Sequence, residues 1–279
     1  MEEEVIFIYC LADTIVKSSQ LHDDTQSQMT HAEIITFVMI SALYYQCNYA
    51  MTRKVITYFR YFRYPISKSR MVRRIHQLPQ FVWHMMFVVC GEVLKTHQSQ
   101  KFILDSFPVA ACQNNKIFRC KLFTNSKYRG YTASKKSYFF GIKVHMTVTF
   151  DGIPVEFFFT SGNVTDVAAL KLFQFNLLRG SKVYGDKAYN DSHFETFLNR
   201  KCGIELIPQR KKNSRRKNSP EDDFFLNHHR GRIETTFSEI IGLMPRTIRA
   251  KTAKGFLLKV LFFILGYIIK RTIKKVSAT

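Results

Sequence analysis

Three acidic residues stand where composition alone would not put them. Asp105 closes the apolar run Phe102-Ile103-Leu104, Asp186 follows Lys182-Val183-Tyr184-Gly185, and Glu234 lies next to Ile233 in a helical pattern continuing through Phe237, Ile240, Ile241 and Met244. A single strand-terminal aspartate is ordinarily a turn or helix cap. Two of them on adjacent strands can approach closely, and a helix laid across those strand ends can add a glutamate. Carboxylates grouped in this way repel one another unless a cation sits among them. Oxygen-only ligands select hard divalent ions such as Mg²⁺ or Mn²⁺. Two such ions, about 3.5 to 4 Å apart, activate the attacking oxygen and stabilise the leaving oxygen of an in-line phosphoryl displacement.

The elements that must position these acids are legible in part. Residues 140–150 alternate strictly, with Ile142, Val144, Met146, Val148 and Phe150 on one face and Lys143, His145, Thr147 and Thr149 on the other, which predicts a half-buried strand. His145 on its polar face is either a DNA-approaching or a structural histidine. Asp151-Gly152 then predicts a two-residue hairpin turn, with Ile153–Thr160 as the partner strand. Thr165 or Asp166 caps a helix from Val167 to Leu178, and a helix around 192–200 and a strand around 204–207 follow. Arg210 to Pro220 contains nothing apolar and reads as a mobile cationic loop, in which Lys211, Lys212, Arg215, Arg216 and Lys217 are candidate phosphate contacts. A helix beginning near His228 carries Glu234, and a last helix spans about 253–274. Residues 109–137 show no clear period and read as irregular or hairpin structure.

The first hundred residues read as a bundle of short helices. Thr30 and Glu33 form a capping box ahead of the apolar run Ile34–Leu43. The basic, aromatic segment Thr52–Tyr64 and the helix Ser67–Leu78 suggest a helix-turn-helix-like unit, with Arg70, Arg73 and Arg74 on one face and Met71 and Ile75 towards the core. A solvated basic helix face is the competing reading. Trp83 reads as core.

The chain has 279 residues and a formal charge of +21, from 42 Lys+Arg against 21 Asp+Glu, an imbalance that calls for a polyanionic partner. With 46% hydrophobic residues, disorder is excluded, and the length fits two domains, 1–100 and 101–279. Glu2, Glu3 and Glu4 in place of a basic leader predict a cytoplasmic protein. Phe256–Ile269 contains Lys259 and falls short of the roughly 20 residues a bilayer requires, so no membrane partner is expected. The six cysteines lack zinc-ligand spacing, and neither a Walker loop nor Gly-x-Gly-x-x-Gly occurs, which disfavours nucleotide-driven motors and dinucleotide enzymes.

Asp105-Ser106 after an apolar strand, Gly141-Ile142-Lys143-Val144-His145 before the hairpin, Asn163-Val164-Thr165-Asp166, Gly185-Asp186-Lys187-Ala188-Tyr189 and Arg230-Gly231-Arg232-Ile233-Glu234 together resemble DDE transposases of bacterial insertion sequences, most of all the family named after insertion sequence 982. The resemblance spans roughly residues 65–270. It implies an α/β fold, a ribonuclease-H-like mixed sheet flanked by helices and preceded by a small all-helical domain. It also implies Asp105, Asp186 and Glu234 as the triad for two Mg²⁺ or Mn²⁺ ions, terminal inverted repeats and target DNA as partners, and a homodimer or higher assembly on DNA. A broad class of related transposases carries a Tyr upstream of the Arg and a Lys after the Glu; here Asn227 and Ile241 stand in those places, so only Arg230 and Glu234 carry over. Arg230, four residues before Glu234, is a candidate phosphate clamp or a simple ion-pair partner. The competing functions are a stand-alone nuclease of the same fold and a catalytically decayed DNA-binding protein.

Overall fold

The computed structural model describes residues 2–63, 65–132, 136–211 and 213–278. Two compact units emerge: residues 1–94 together with 239–279, and residues 95–238.

The first unit is helical, with α1 (Glu2–Ser18), α2 (His31–Tyr45), α3 (Tyr49–Tyr58), α4 (Lys68–Gln77) and α5 (Gln80–Val93). The capping box at the start of α2 forms as the sequence predicts: Thr30 Oγ1 accepts from the Glu33 N–H and Glu33 Oε2 accepts from the Thr30 N–H. Ile34 through Ala42 are all buried, so α2 is enclosed on every side and is the axis of the bundle. The C-terminal helix, Ala253–Val276, packs in this same core, where Phe262 meets Trp83 at a ring distance of 4.8 Å. The sequence reading grouped that helix with the sheet; its apolar body, Phe262–Ile269, is buried here against α2 and α5. Lys259, the charge inside the apolar run, donates to the Arg249 and Cys47 carbonyls. Among the described residues no single helix is long and apolar enough to cross a bilayer.

The second unit is built on a six-stranded sheet of β1 (Lys101–Cys112), β2 (Arg129–Thr132), β3 (Ser137–Thr149), β4 (Pro154–Ser161), β5 (Lys182–Gly185) and β6 (Glu205–Pro208). β4, β3, β1, β5 and β6 lie in that order, β3 antiparallel to both neighbours and β1, β5 and β6 mutually parallel. This is the ribonuclease-H-like mixed sheet, and β2 extends the outer edge of β3. β1 does not stop at Asp105, as its apolar run suggested, but continues seven residues to Cys112. Pro108 is tolerated in it because β5 pairs only with Lys101–Leu104, leaving the far half of β1 unpaired on that side. Gly141 sits in β3 where a Cβ would collide with the Val109 carbonyl of β1.

The turn after β3 has three residues instead of two. The Gly152 N–H reaches the Thr149 carbonyl, the Thr149 N–H reaches the Ile153 carbonyl, and Gly152 takes φ +80° as the glycine of a bulged hairpin turn. α6 (Asp166–Leu170) is much shorter than its sequence reading. Phe173 and Phe175 instead alternate into the core in irregular backbone, where Glu156 accepts the N–H groups of Gln174 and Phe175. α7 (Ser192–Cys202) covers the same sheet face. The other face carries α8 (Pro220–His229) and the first part of α9 (Gly231–Leu243), with Phe225 stacked on Tyr184 and Phe237 against Phe107. Ser219 caps α8 with Pro220 in its first turn, so a separate helix precedes the one carrying Glu234, where the sequence predicts a single helix beginning near His228.

Candidate active site

Leu104 and Gly185 are the last in-register pair of the parallel strands β1 and β5. Asp105 and Asp186 are the next residue on each strand, so they leave the paired region side by side and line one small cleft with Arg230 and Ile233. The Asp105 Oδ1 accepts from the Ser106 N–H at 2.8 Å. Burial, helped by the Asp186 and Asp166 carboxylates, pushes the Asp105 carboxyl up to about 7 against the opposing pull of the Ser106 N–H and the Arg230 guanidinium. Asp186 caps a short turn, accepting from the Ala188 N–H at 2.6 Å, and its other oxygen accepts from Arg230 Nη2 at 2.9 Å.

Arg230 reaches Asp186 because α8 is pinned to the sheet. Asp222, buried in its first turn, accepts from Lys182 Nζ (3.0 Å), Tyr184 Oη (2.9 Å) and Ser219 Oγ (2.7 Å). Burial raises the Asp222 carboxyl, but these donors outweigh it and hold the group below the ordinary range. The helix thus anchored ends at Arg230, over the strand ends. Glu234 follows one turn later with its side chain 64% exposed and 4.0 Å from Arg230 Nε. Arg230 is therefore primarily the partner of Asp186, and its contact with Glu234 is marginal. Among the described residues no three His, Cys, Asp or Glu side chains converge as a metal-holding group; two of the three expected acids are together and Glu234 stands apart.

From the sequence Asp166 is a candidate helix cap. The structure gives that role to Thr165, whose Oγ1 accepts from the Ala168 N–H, and frees the Asp166 carboxylate to accept from Ser106 Oγ at 2.9 Å and Lys143 Nζ at 3.5 Å. The usable signal was Asn163-Val164-Thr165-Asp166, with two capping residues where a helix needs one. Tyr189 is fully buried among Asp105, Asp166 and Asp186. His145 is also fully buried, Nε2 paired with Thr160 Oγ1 at 2.9 Å, and burial holds the ring down to about 4, hence neutral. It does not approach DNA, because Phe158 stacks on it and Phe173 packs over Phe158.

The basic candidates divide in the same way. On α4, Met71 and Ile75 are buried and Arg70 and Arg73 exposed, but Arg74 turns inward to Asp23 (3.2 Å), Ser27 (3.0 Å) and the Met29 carbonyl (3.1 Å). Three acceptors in reach outcompete water for its guanidinium. Lys211, Arg215, Arg216 and Lys217 are exposed, while Lys212 lies outside the described residues. The loop is stapled to Glu195 of α7 at its first residue, Arg210, and again at Arg216. Arg210 grips that carboxylate with two bonds of 2.8 and 2.7 Å, and Arg216 approaches it at 3.4 Å. A buried acid in α7 thus converts what composition suggested to be mobile into an anchored cationic rim beside an open groove of about 400 Å³.

Two central parallel strands of the mixed sheet thus lead into paired aspartates, with Arg230 beside them at the end of α8 and Glu234 in the first turn of α9. The chain belongs to the transposase DDE domain family, which matches residues 95–245 and so contains Asp105, Asp186, Arg230 and Glu234. Among solved structures it is similar to a piggyBac transposase synaptic complex with hairpin DNA (13% identity, TM-score 0.48, covering 100% of this chain and 67% of that one). It is also similar to the Mos1 mariner paired end complex with Mn (12% identity, TM-score 0.30, covering 96% and 85%). No curated protein matches it.

Proposed function

We propose that the protein cuts DNA at the ends of an insertion sequence and joins the freed 3′-hydroxyls to target DNA, with Asp105, Asp186 and Glu234 holding two Mg²⁺ or Mn²⁺ ions. The observation that carries this reading is the placement of Asp105 and Asp186, each one residue past Leu104 and Gly185, the last in-register pair of two adjacent parallel strands. Their oxygen-only donor set fits a hard divalent cation, and the Asp105 carboxyl, raised first by burial and further by the Asp186 and Asp166 carboxylates, is one that a bound cation would hold ionised. When bound, such ions supply Lewis-acid activation of the attacking oxygen and charge for the leaving one. Asp105 and Asp186 orient and anchor. Arg230 neutralises Asp186 and offers a guanidinium to a phosphate brought to the cleft. Glu234 supplies the third carboxylate from the adjacent helical turn.

Residues 1–94 provide recognition of the terminal inverted repeats, with Arg70 and Arg73 of α4 towards the duplex, and the rim of Lys211, Arg215, Arg216 and Lys217 contacts the DNA backbone. The order Gly185-Asp186-Lys187-Ala188-Tyr189 and Arg230 to Glu234 supports the insertion sequence 982 type, acting as two or more copies on DNA. Replacing Asp105, Asp186 or Glu234 with Ala should reduce Mg²⁺-dependent cleavage of a duplex carrying an element end to background, with duplex binding retained. Full cleavage by any one variant removes that residue from the triad, and cleavage persisting in all three overturns the proposal.

A further inference from the structure

Between Glu33 and Glu92 the sequence has no acidic residue, and all eight Lys and Arg in that span fall between Arg53 and Arg74. Inside this acid-free stretch, Tyr58-Phe59-Arg60-Tyr61-Phe62-Arg63 alternates rings with guanidinium groups. Phe62 turns into the core, whereas Tyr58 and Phe59 are 81% and 55% exposed. Their rings meet edge to face at 5.1 Å, and Phe59 lies nearly parallel to Tyr61 at 5.6 Å and 19°. Rings held so exposed and so close together form a standing surface.

The backbone supports the same conclusion. α3 closes with the Tyr61 N–H on the Ile56 carbonyl and the Arg60 N–H on the Thr57 carbonyl, which puts Arg60 at φ +53°, a left-handed position where glycine is the unstrained choice. A strained arginine there keeps a cation that the helix stop does not need, at the position between Phe59 and Tyr61 in the chain.

We propose that Tyr58, Phe59 and Tyr61 form a stacking platform for unpaired DNA bases, with Arg60 and Lys54 on the flanking phosphates. Open aromatic faces stack on any base whose own face is free, and the acid-free, Lys- and Arg-bearing stretch of chain that carries them favours a polyanion over a lipid or a protein partner of mixed charge. Duplex bases are covered by their neighbours, so the platform selects single-stranded nucleotides beside a DNA end. The inference rests on the reading that residues 1–94 bind DNA, and it adds what kind of DNA structure they hold.

The test uses the full chain without divalent metal, and measures binding of an oligo(dT) single strand and of a blunt duplex of mixed sequence by fluorescence anisotropy. The Tyr58→Ala/Phe59→Ala variant should lose about fivefold or more in affinity for oligo(dT), the loss expected from one base–aromatic stack, with duplex binding unchanged. Tyr58→Trp should retain oligo(dT) binding. Arg60→Gly should raise the melting temperature yet weaken oligo(dT) binding, which a purely structural Arg60 would not do. Duplex binding together with oligo(dT) binding insensitive to the ring removals overturns the platform alone. Failure of the unaltered protein to bind either probe overturns the DNA reading as well. A DNA-free dimer that the ring removals dissociate in sedimentation would instead assign the patch to a second copy of the chain.

Discussion

Asp105 pays for its position, since its carboxyl is raised from the ordinary 3.8 to about 7 by burial first and further by its acidic neighbours. The sign follows from linkage: the folded state holds this proton more tightly than the unfolded state. The stabilisation is therefore complete below about pH 4 and is lost as the pH rises through 7. Asp105→Asn, which removes the buried charge, should melt above the unaltered protein at pH 8, with the difference vanishing near pH 4. Mg²⁺ or Mn²⁺ should raise the melting temperature of the unaltered protein at pH 8 and leave the variant nearly unmoved; equal shifts in both would place the ion elsewhere. Differential scanning fluorimetry across pH reads both effects.

The elements turn these residues into a working arrangement through a few anchors. On α4, Arg70→Ala and Arg73→Ala should weaken DNA binding with little effect on stability. Arg74→Ala should do the opposite, costing about 1–3 kcal/mol because its bonds to Asp23, Ser27 and Met29 are within the fold. Urea denaturation beside duplex binding separates the two patterns. The staple of the cationic rim admits a similar test. Glu195 is 7% exposed and Arg210 14%, so Glu195→Ala leaves a largely buried guanidinium with only the Asn190 and Asn218 amide oxygens and no countercharge, and should cost about 3 kcal/mol. Trypsin should then cut at Lys211 to Lys217 faster than in the unaltered chain, and an unchanged cleavage rate would show that the rim is held by something other than α7.

At the scale of the molecule, the +21 charge dominates encounter with DNA. Several phosphate contacts released together make binding a steep function of salt, and affinity for duplex DNA should fall by orders of magnitude between about 50 and 200 mM. A binding constant flat over that range, measured by anisotropy, would exclude a polyanionic partner. The two units share the chain unevenly: the sheet of residues 95–238 carries the paired aspartates, while the C-terminal helix returns to the core of the first unit. The apolar run Phe262–Ile269 needs burial on all sides, and α2 and α5 supply it.

The sequence by itself determined whatever depends on neighbours along the chain. The strand β3, the Thr30/Glu33 box, the hairpin at Asp151-Gly152 though not its three-residue turn, and the helical face of Met71 and Ile75 were legible because strand period, capping and turn chemistry act over a few residues. Tertiary structure decided what each polar side chain meets. His145 reads as half-exposed by alternation, yet the chain from Phe158 to Phe173 folds over it. Arg74 reads as one of three equivalent arginines, yet Asp23, fifty-one residues away, claims it. Asp166 reads as a cap and becomes part of the Ser106 and Lys143 network beside Asp105. Helix α6 stops early because its continuation buries Phe173 and Phe175 in a core assembled from distant strands and helices. Period and propensity are local energies, whereas burial and ion pairing are settled by long-range packing, which no window of sequence contains.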